Sequence, residues 1–329
     1  MNNFKHFFGI YLRGIAMGAA DVVPGVSGGT IAFISGIYEE LLDTIKGFNL
    51  SALKTLKNEG IVATWKKLNL GFIVSLALGI LTSIVSLAGL ISGILEEKGE
   101  TFNKIALWSF FFGLIIASIL YIGKQVKAWN VKNIVGLVAG AALAYYITIA
   151  PISSDSSSLL FLFFAGSIAI SAMILPGISG SFILVLLGAY QPIMGAIKSV
   201  TEIKDMAALW GPIGIISVVG SGCVIGLLTF SRVLSWLFKK HETITLATLT
   251  GFMLGSLNKI WPWKKAISTR INSHGEEVPV QFSNMMPSDY SPPSGIDSSW
   301  GYALMFAAIG FAVVFLLEFF GNKLKKEND

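Results

Sequence analysis

Residues 21–30 read DVVPGVSGGT, and residues 173–182 read MILPGISGSF. Both stretches contain the pattern Pro-Gly-x-Ser-Gly. An offset of 152 residues superimposes them within a longer match between 14–41 and 166–193. Most of the identical positions hold glycine, proline or serine, whose backbone roles other residues fill poorly. The match therefore predicts that the chain consists of two related halves.

The composition predicts that both halves lie in a membrane. Of the 329 residues, 53% are hydrophobic and 13% are charged, and the mean hydropathy is +0.71. A soluble domain carries about a quarter charged residues, whereas several apolar runs here reach about 18 residues, enough to span a bilayer. The net charge of +5 lies in short loops between these runs. This pattern indicates orientation in a membrane and no nucleic-acid partner.

Cysteine and histidine are too scarce for a metal centre. Cys223 is the one cysteine of the chain, which excludes an intrachain disulfide and a cysteine cluster. The three histidines lie at the ends of apolar runs or in polar loops. We therefore expect no metal site and no cofactor.

Each half contains the same succession of apolar segments. A broken apolar element comes first, at 4–44 in the first half (1–151) and at 157–198 in the second half (152–329). Irregular backbone cannot face lipid, so each break favours a re-entrant hairpin over two complete spans. The predicted fold class is an all-α integral membrane protein with two inverted repeats, each a re-entrant helical hairpin plus three transmembrane helices. The predicted spans are 70–93, 104–122, 132–150, 210–236, 243–261 and 299–320.

Two further segments are predicted not to span the membrane. Residues 50–68 resemble an interfacial amphipathic helix, with leucines on one face and lysines elsewhere. Residues 262–298 form the longest polar loop, which we expect to be a solvated connector on the outer face. Lysine and arginine number fourteen on the face that holds both termini and eight on the other face. The positive-inside rule therefore places both termini in the cytoplasm.

The first break has the chemistry of an anion site. Its proline ends one helix, its first glycine permits a turn, and Ser27 is a natural N-cap for the next helix. Gly28 and Gly29 have no side chains, so we expect the first amides of that helix to be open to a ligand. Such amides attract anions, phosphate above all. The candidate binding residues of this turn are Pro24, Gly25, Ser27, Gly28, Gly29 and Thr30.

The second break repeats this arrangement from the opposite side of the membrane. One such motif alone is more often a kink in a packed helix. Two copies at matching places in inverted halves predict two positive helix ends near the middle of the bilayer, where inverted-repeat transporters bind their substrates. The candidate binding residues of the second turn are Pro176, Gly177, Ser179, Gly180 and Ser181.

Two charged residues accompany the first break. A charge in the middle of a membrane costs about 2.5–3.5 kcal/mol on insertion scales, so it seldom lacks a role. Asp21 is a candidate for coupling to an ion or a proton, or for ordering the loop amides, and a purely structural cap is the alternative. Arg13 is a candidate phosphate contact, and the alternative is that it extends to the cytoplasmic interface.

These motif residues, from Arg13 to Thr30 and from Ala172 to Ser181, resemble the bacterial polyprenyl-phosphate transporter family known as PopT. The resemblance extends over essentially the whole chain. It implies that the substrate is a polyprenyl-phosphate lipid, undecaprenyl phosphate, which such a protein moves from the outer to the cytoplasmic leaflet of the bacterial inner membrane. The carrier is thereby recycled for the synthesis of surface polymers.

Two other functions stay open at this point. An intramembrane polyprenyl-diphosphate phosphatase also uses inverted hairpins, but hydrolysis requires a nucleophile or base, and the turns contain no histidine and few carboxylates. A carrier or channel for a small soluble anion could use the same helix ends. Coupling to a proton or sodium gradient and assembly as a homo-oligomer are both compatible with the sequence.

Overall fold

The structure, a computed structural model, is helical nearly throughout. It describes residues 2–22, 27–95, 101–150, 158–202, 210–271, 277–290 and 300–326. The helices of the first half are α1 (Asn2–Val22), α2 (Gly28–Ile34), α3 (Tyr38–Gly47), α4 (Leu50–Lys67), α5 (Leu70–Leu95), α6 (Thr101–Gln125) and α7 (Val131–Ile149). The second half contains α8 (Leu159–Ile174), α9 (Gly180–Leu186), α10 (Tyr190–Glu202), α11 (Trp210–Ser256), strands β1 (Lys264–Ile271) and β2 (Glu277–Asn284), a 3-10 turn (Pro287–Asp289) and α12 (Trp300–Lys326).

Four of these helices are long and apolar enough to cross a membrane. They contain the segments Leu70–Leu87, Lys104–Gln125, Val131–Ile149 and Trp210–Ser256. A fifth candidate is the pair α9 and α10, which bends by 113° between its two members. Large apolar side chains such as Leu81 and Val85 are exposed on these helices, as expected for surfaces in contact with lipid. The chain is therefore a multi-pass helical membrane protein.

The helix α11 is two segments joined at a break. Its 47 residues continue through His241, whose backbone angles (φ −139°, ψ 40°) are not helical. The break lies between the spans predicted at 210–236 and 243–261. Each of the six predicted spans therefore overlaps a helical segment.

Glycine residues allow the helices to pack closely. Gly14 of α1 lies against the carbonyl of Leu76 in α5, and Gly222 of α11 lies against the carbonyl of Phe163 in α8. Small residues at such positions let helix backbones approach in a membrane, where van der Waals packing replaces the hydrophobic effect. The other pairs built in this way are α7 with the second segment of α11, through Gly140, Gly251 and Gly255, and α6 with α12, through Gly113 and Gly310.

Polar contacts join the helices at the end of the bundle to which the charge count assigns the termini. Asp43 of α3 accepts a hydrogen bond from Ser235 at 2.7 Å and pairs with Lys239 at 3.0 Å. Lys127 pairs with Glu242 at 2.8 Å. These side chains are about half exposed or more, so each pair contributes little to stability. The pairs show that α3, the chain that follows α6 and the break in α11 lie at the same end of the helix bundle.

The segment 262–298, predicted to be a solvated connector, contains a β-hairpin in the part that the structure describes. Strands β1 and β2 pair antiparallel from Lys264–Asn284 to Ile271–Glu277, so the chain is not purely α-helical. Trp263, at the start of the hairpin, is buried with Ile105 and Ala303 of two helices. Strand pairing satisfies the backbone of this polar segment, and its tryptophans anchor it on the bundle.

The segment 50–68, predicted to be amphipathic, contains the helix α4. Its leucines Leu50, Leu53 and Leu56 are exposed rather than packed on protein. Gly60 interrupts the helix with a φ of 83°, a left-handed conformation that glycine adopts readily. Exposed leucines beside lysines are typical of a helix that lies on a membrane surface.

The close packing of α7 on α11 can be tested at Gly140. A side chain at this buried position would overlap the carbonyl of Thr248, so we expect Gly140→Leu to destabilise the protein by about 1–3 kcal/mol. The measurement is the midpoint of thermal unfolding in detergent, followed by size-exclusion chromatography. Gly220→Leu is the control, because Gly220 has no neighbour within 4 Å. Equal midpoints for both variants would contradict this packing.

Candidate functional site

The turns of the two broken elements contact each other directly. The hydroxyl of Ser27 donates a hydrogen bond to the carbonyl of Met173 at 3.1 Å. The amide of Gly177 donates to the hydroxyl of Thr30 at 2.9 Å. Ser27 and Thr30 are both fully buried. The two motifs, about 150 residues apart in the chain, therefore form one site inside the helix bundle.

Tyr38 adds a third connection between the elements. Its hydroxyl donates to the carbonyl of Ile174 at 2.9 Å, and its ring packs edge-on against Phe33 and Phe238. Ile174 is the last residue of α8, so its carbonyl has no partner within the helix. The Tyr38 hydroxyl thus gives the last carbonyl of α8, in the other broken element, a hydrogen-bond partner.

The first turn differs from the expectation of open amides. The amide of Gly28 donates to the carboxylate of Asp21 at 2.7 Å, and the amide of Gly29 donates to the hydroxyl of Ser27 at 3.1 Å. Both glycines are buried. Two side-chain oxygens of the chain itself therefore occupy the positions that a bound anion would take. Pro24 and Gly25, the other candidates of this turn, lie outside the described residues.

Asp21 caps the start of α2. A methyl group added to Gly28 would overlap the carboxylate, so the glycine is what allows Asp21 to lie against the helix end. Among the described residues, no lysine or arginine pairs with this carboxylate. A negative group at a helix N-terminus is stabilised by the helix dipole. The geometry supports the interpretation in which Asp21 orders the loop amides.

The second turn leaves its helix start open. Ser179, the N-cap of α9, makes no capping hydrogen bond, and its hydroxyl instead lies 3.0 Å from that of Ser181. Within the ranges that the structure covers, the amides of Gly180 and Ser181 have no acceptor. Position 173, which corresponds to Asp21, holds a methionine, so no carboxylate is available to cap this helix.

Gly177 is required in the second turn for two reasons. Its φ of 84° is left-handed, a conformation that side chains disfavour. A methyl group at this position would also crowd Ser256 and Met253 of α11. Pro176, immediately before it, is buried and ends the preceding helix because it has no amide hydrogen.

A small cavity lies beside the second turn. It is bounded by the end of α7, by the turn itself and by a lysine that follows α11. Its lining residues are Ala144, Ile147, Thr148, Gly177, Ile178, Ser179, Phe182 and Lys259. The cavity thus combines hydroxyl groups, one cation and apolar walls next to an uncapped helix start.

Sequence reasoning missed Lys259. The charge pattern assigns Lys259 to the eight basic residues of the face opposite the termini, because it stands near the end of the apolar run 243–261. The structure turns it inward, so that its ammonium lies 3.9 Å from the centre of the Phe182 ring. The signal in the sequence was a lysine within the last turn of a predicted span.

Arg13 lies on α1 with a partner outside the two turns. It is partly buried, and its guanidinium attracts Glu40 of α3. Glu40 also accepts a hydrogen bond from Asn69 at 2.8 Å. No hydrogen bond joins Arg13 to either turn in the part of the chain that the structure describes.

The contact between the turns can be tested at Thr30. Thr30→Val keeps the shape of the side chain but removes the acceptor of the buried Gly177 amide, which costs about 1–3 kcal/mol. We expect a lower midpoint of thermal unfolding in detergent for this variant. Thr30→Ser retains the hydroxyl and serves as the control. A valine variant as stable as the serine variant would show that this hydrogen bond is unimportant.

The fold and the site define a class of protein. Apolar helices expose their side chains to lipid, and two broken helical elements meet inside the bundle beside a cavity. Irregular backbone is tolerated at membrane depth only where protein or a cavity surrounds it. Transporters place their substrate sites at such broken helices, so the chain has the architecture of a multi-pass transporter.

Comparison with known proteins identifies the family. The VCA0040-like family, described as undecaprenyl phosphate translocase-like, matches residues 17–278. This match covers most of the chain, so the chain belongs to that family, and the resemblance drawn from the two motifs is confirmed.

Two relatives carry the same name. The chain is 44% identical over 318 residues to the polyprenyl-phosphate transporter of Vibrio cholerae, covering 97% of this chain and 98% of that protein. It is 31% identical over 263 residues to the polyprenyl-phosphate transporter of Staphylococcus aureus, covering 76% of this chain and 85% of that protein. No solved structure matches the chain.

Proposed function

We propose that the chain transports a polyprenyl phosphate, such as undecaprenyl phosphate, across the bacterial inner membrane and is not an enzyme. The observation that carries this proposal is the direct contact of two broken helical elements beside a cavity, in a chain whose near full-length relatives are named polyprenyl-phosphate transporters. The phosphate requires a polar site inside the membrane, whereas the isoprenoid tail can remain in lipid. Transport towards the cytoplasmic leaflet would return the carrier for another cycle of synthesis.

The proposed architecture is a pair of inverted repeats, 1–151 and 152–329, each with a re-entrant hairpin and three spans. Two observations support it. Glycines pack α1 against α5 in the first half and α8 against the first segment of α11 in the second half. Glycines also pack α6 against α12, and the proposed repeat makes this pair equivalent to the second segment of α11 packed against α7. The bend of 113° between α9 and α10 is compatible with an element that enters the membrane without crossing it. Both termini would then lie in the cytoplasm.

The proposed site uses the two turns in succession. The second turn, with Pro176, Gly177, Ser179, Gly180 and Ser181, has open amides that can bind a phosphate. The amides of the first turn are held by Asp21 and Ser27. A phosphate that reaches this turn would therefore displace the carboxylate from Gly28. The first-turn residues Pro24, Gly25, Ser27, Gly28, Gly29 and Thr30, with Arg13 nearby on α1, complete the proposed site.

Asp21 is the proposed coupling group. A charge-assisted hydrogen bond is about twice as strong as a neutral one, so neutralisation of the carboxylate by a proton or sodium ion would weaken its hold on Gly28. The released amide could then donate a hydrogen bond to the lipid phosphate. This competition would link substrate movement to an ion gradient without any further residue.

Transport can be tested with labelled undecaprenyl phosphate in proteoliposomes. We expect the lipid to change leaflets, with no phosphate released and no inhibition by soluble anions. Release of phosphate from a diphosphate lipid would instead indicate a phosphatase, and inhibition by soluble anions would indicate a small-anion carrier.

Ser179→Leu tests the role of the second turn. Ser179 borders the cavity, so a leucine would fill the space next to the open amides, and we expect transport to be abolished in a protein that still inserts. Ser221→Leu on the exposed face of α11 is the control. Leucine at Ser27 is less informative, because that fully buried hydroxyl also bonds Met173. Full transport by Ser179→Leu would remove the second turn from the site.

Asp21→Asn separates coupling from capping. The asparagine oxygen can still accept the Gly28 amide, so we expect the midpoint of thermal unfolding to change little. Transport should lose its response to a proton or sodium gradient, since the side chain can no longer gain or lose charge. An unchanged response in proteoliposomes would show that Asp21 is a structural cap only.

A further inference from the structure

Lys259 lies at the edge of the cavity. It follows the end of α11, where its amide donates to the carbonyl of Ser256 at 2.9 Å, and the next residue, Ile260, is fully buried. Its ammonium lies over Phe182, which is two residues beyond the start of α9. A cation over an aromatic face is stabilised, but the ring leaves the hydrogen-bonding capacity of the ammonium unused.

A second half-buried lysine lies behind the first. The ammonium of Lys264 lies 3.7 Å from the centre of the Trp108 ring and donates a hydrogen bond to the carbonyl of Lys259. Burial, together with repulsion from Lys259, holds the pKa of Lys264 well below its usual range. The two cations are therefore close enough to affect each other, and Lys264 positions the backbone that carries Lys259.

Among the residues that the structure describes, no carboxylate pairs with Lys259 or Lys264. The ion pairs Lys127–Glu242 and Lys239–Asp43 lie at the other end of the bundle. A buried charge without a partner is costly. A bound anion would therefore stabilise the charged form of Lys259.

The remaining walls of the cavity restrict which anion fits. The hydroxyl of Thr148 accepts a hydrogen bond from Asn258 at 2.7 Å and donates to Tyr145 at 2.7 Å, so its bonds are already used. One of the hydroxyls of Ser179 and Ser181 donates a hydrogen bond to the other. The proton of the second hydroxyl therefore remains free to donate to a ligand. The other lining residues are apolar: Ala144, Ile147, Ile178 and Phe182. Lys259, the hydroxyl pair and the apolar walls supply the types of group that a phosphate monoester on a hydrocarbon chain would contact.

We propose that Lys259 binds the phosphate monoester of the lipid at the end of the bundle that carries the β-hairpin, in the cavity that Lys259 lines together with Ser179. The proposal rests on the proposed transport function and assigns its first binding residue. The corresponding turn of the first half holds Thr30 where the second holds Phe182, and its amides are already bonded. The two ends of the pathway are therefore chemically different, and Lys259 serves one of them.

Binding to the purified protein in nanodiscs tests the charge of Lys259. The probes are farnesyl phosphate, farnesol, which has the same tail without the phosphate, and inorganic phosphate. Because an ionic hydrogen bond would be lost, we expect Lys259→Met to weaken farnesyl phosphate binding about tenfold or more and to leave farnesol binding unchanged. Lys259→Arg should restore binding to within about threefold, and Lys265→Met, at an exposed lysine, should resemble the wild type.

Three outcomes would overturn the proposal. Loss of binding in Lys259→Arg as well would assign the residue to packing against Phe182. Equal weakening for farnesol would show that the cavity changed shape. Tight binding of inorganic phosphate that depends on Lys259 would identify a soluble anion rather than the lipid as the ligand. The midpoint of thermal unfolding, measured for each variant, separates these results from loss of fold.

Failure of this inference is distinguishable from failure of the proposed function. If Lys259→Met moves lipid between leaflets at the wild-type rate, transport stands and the role of Lys259 is refuted. If the wild type moves no lipid but binds farnesyl phosphate through Lys259, the binding site stands and transport is refuted. When both hold, lipid supplied to the leaflet at the β-hairpin end should be captured more slowly in Lys259→Met.

Discussion

Inside a membrane, a break in a helix exposes amides and carbonyls that lipid cannot hydrogen-bond. In this protein each of two breaks supplies partners for the other. The hydroxyls of Ser27 and Tyr38 bond carbonyls at the end of α8, and Thr30 accepts the amide of Gly177. These bonds hold the two broken elements side by side. The surrounding helices pack in pairs, with glycines of one helix against the backbone of the other, and enclose the two turns. Without this mutual satisfaction neither turn could be stable at membrane depth.

The two turns share a motif but differ in what completes them. At the first turn Asp21 caps the helix, so that the amides are bonded within the protein. At the second turn a methionine replaces the aspartate, the helix start is open, and Lys259 lies across the adjoining cavity. A negative side chain at one turn and a positive one at the other give opposite electrostatics to two halves of common design.

The β-hairpin belongs to this asymmetry. Lys264, its first residue, bonds the carbonyl of Lys259, and Trp263 packs beneath it between α6 and α12. The indole of Trp261 donates to the carbonyl of Met285 at 2.9 Å, which fixes the return of the hairpin to the bundle. The hairpin is therefore a support for one wall of the cavity, and it has no equivalent among the described residues of the first half.

The sequence alone determined the membrane class and the positions of the two turns, because each depends on local composition or on a motif of a few residues. Apolar runs of span length favour lipid over water, and the proline and glycine of Pro-Gly-x-Ser-Gly disfavour continuation of a helix. Only the tertiary structure decided which groups bond at those turns. The partners Ser27 and Met173 are separated by 146 residues, and no local pattern predicts a contact over that distance. The inward direction of Lys259 likewise depends on Phe182 and on the hairpin behind it. A lysine near the end of a span can extend to water or turn into the protein, and its tertiary neighbours decide between the two.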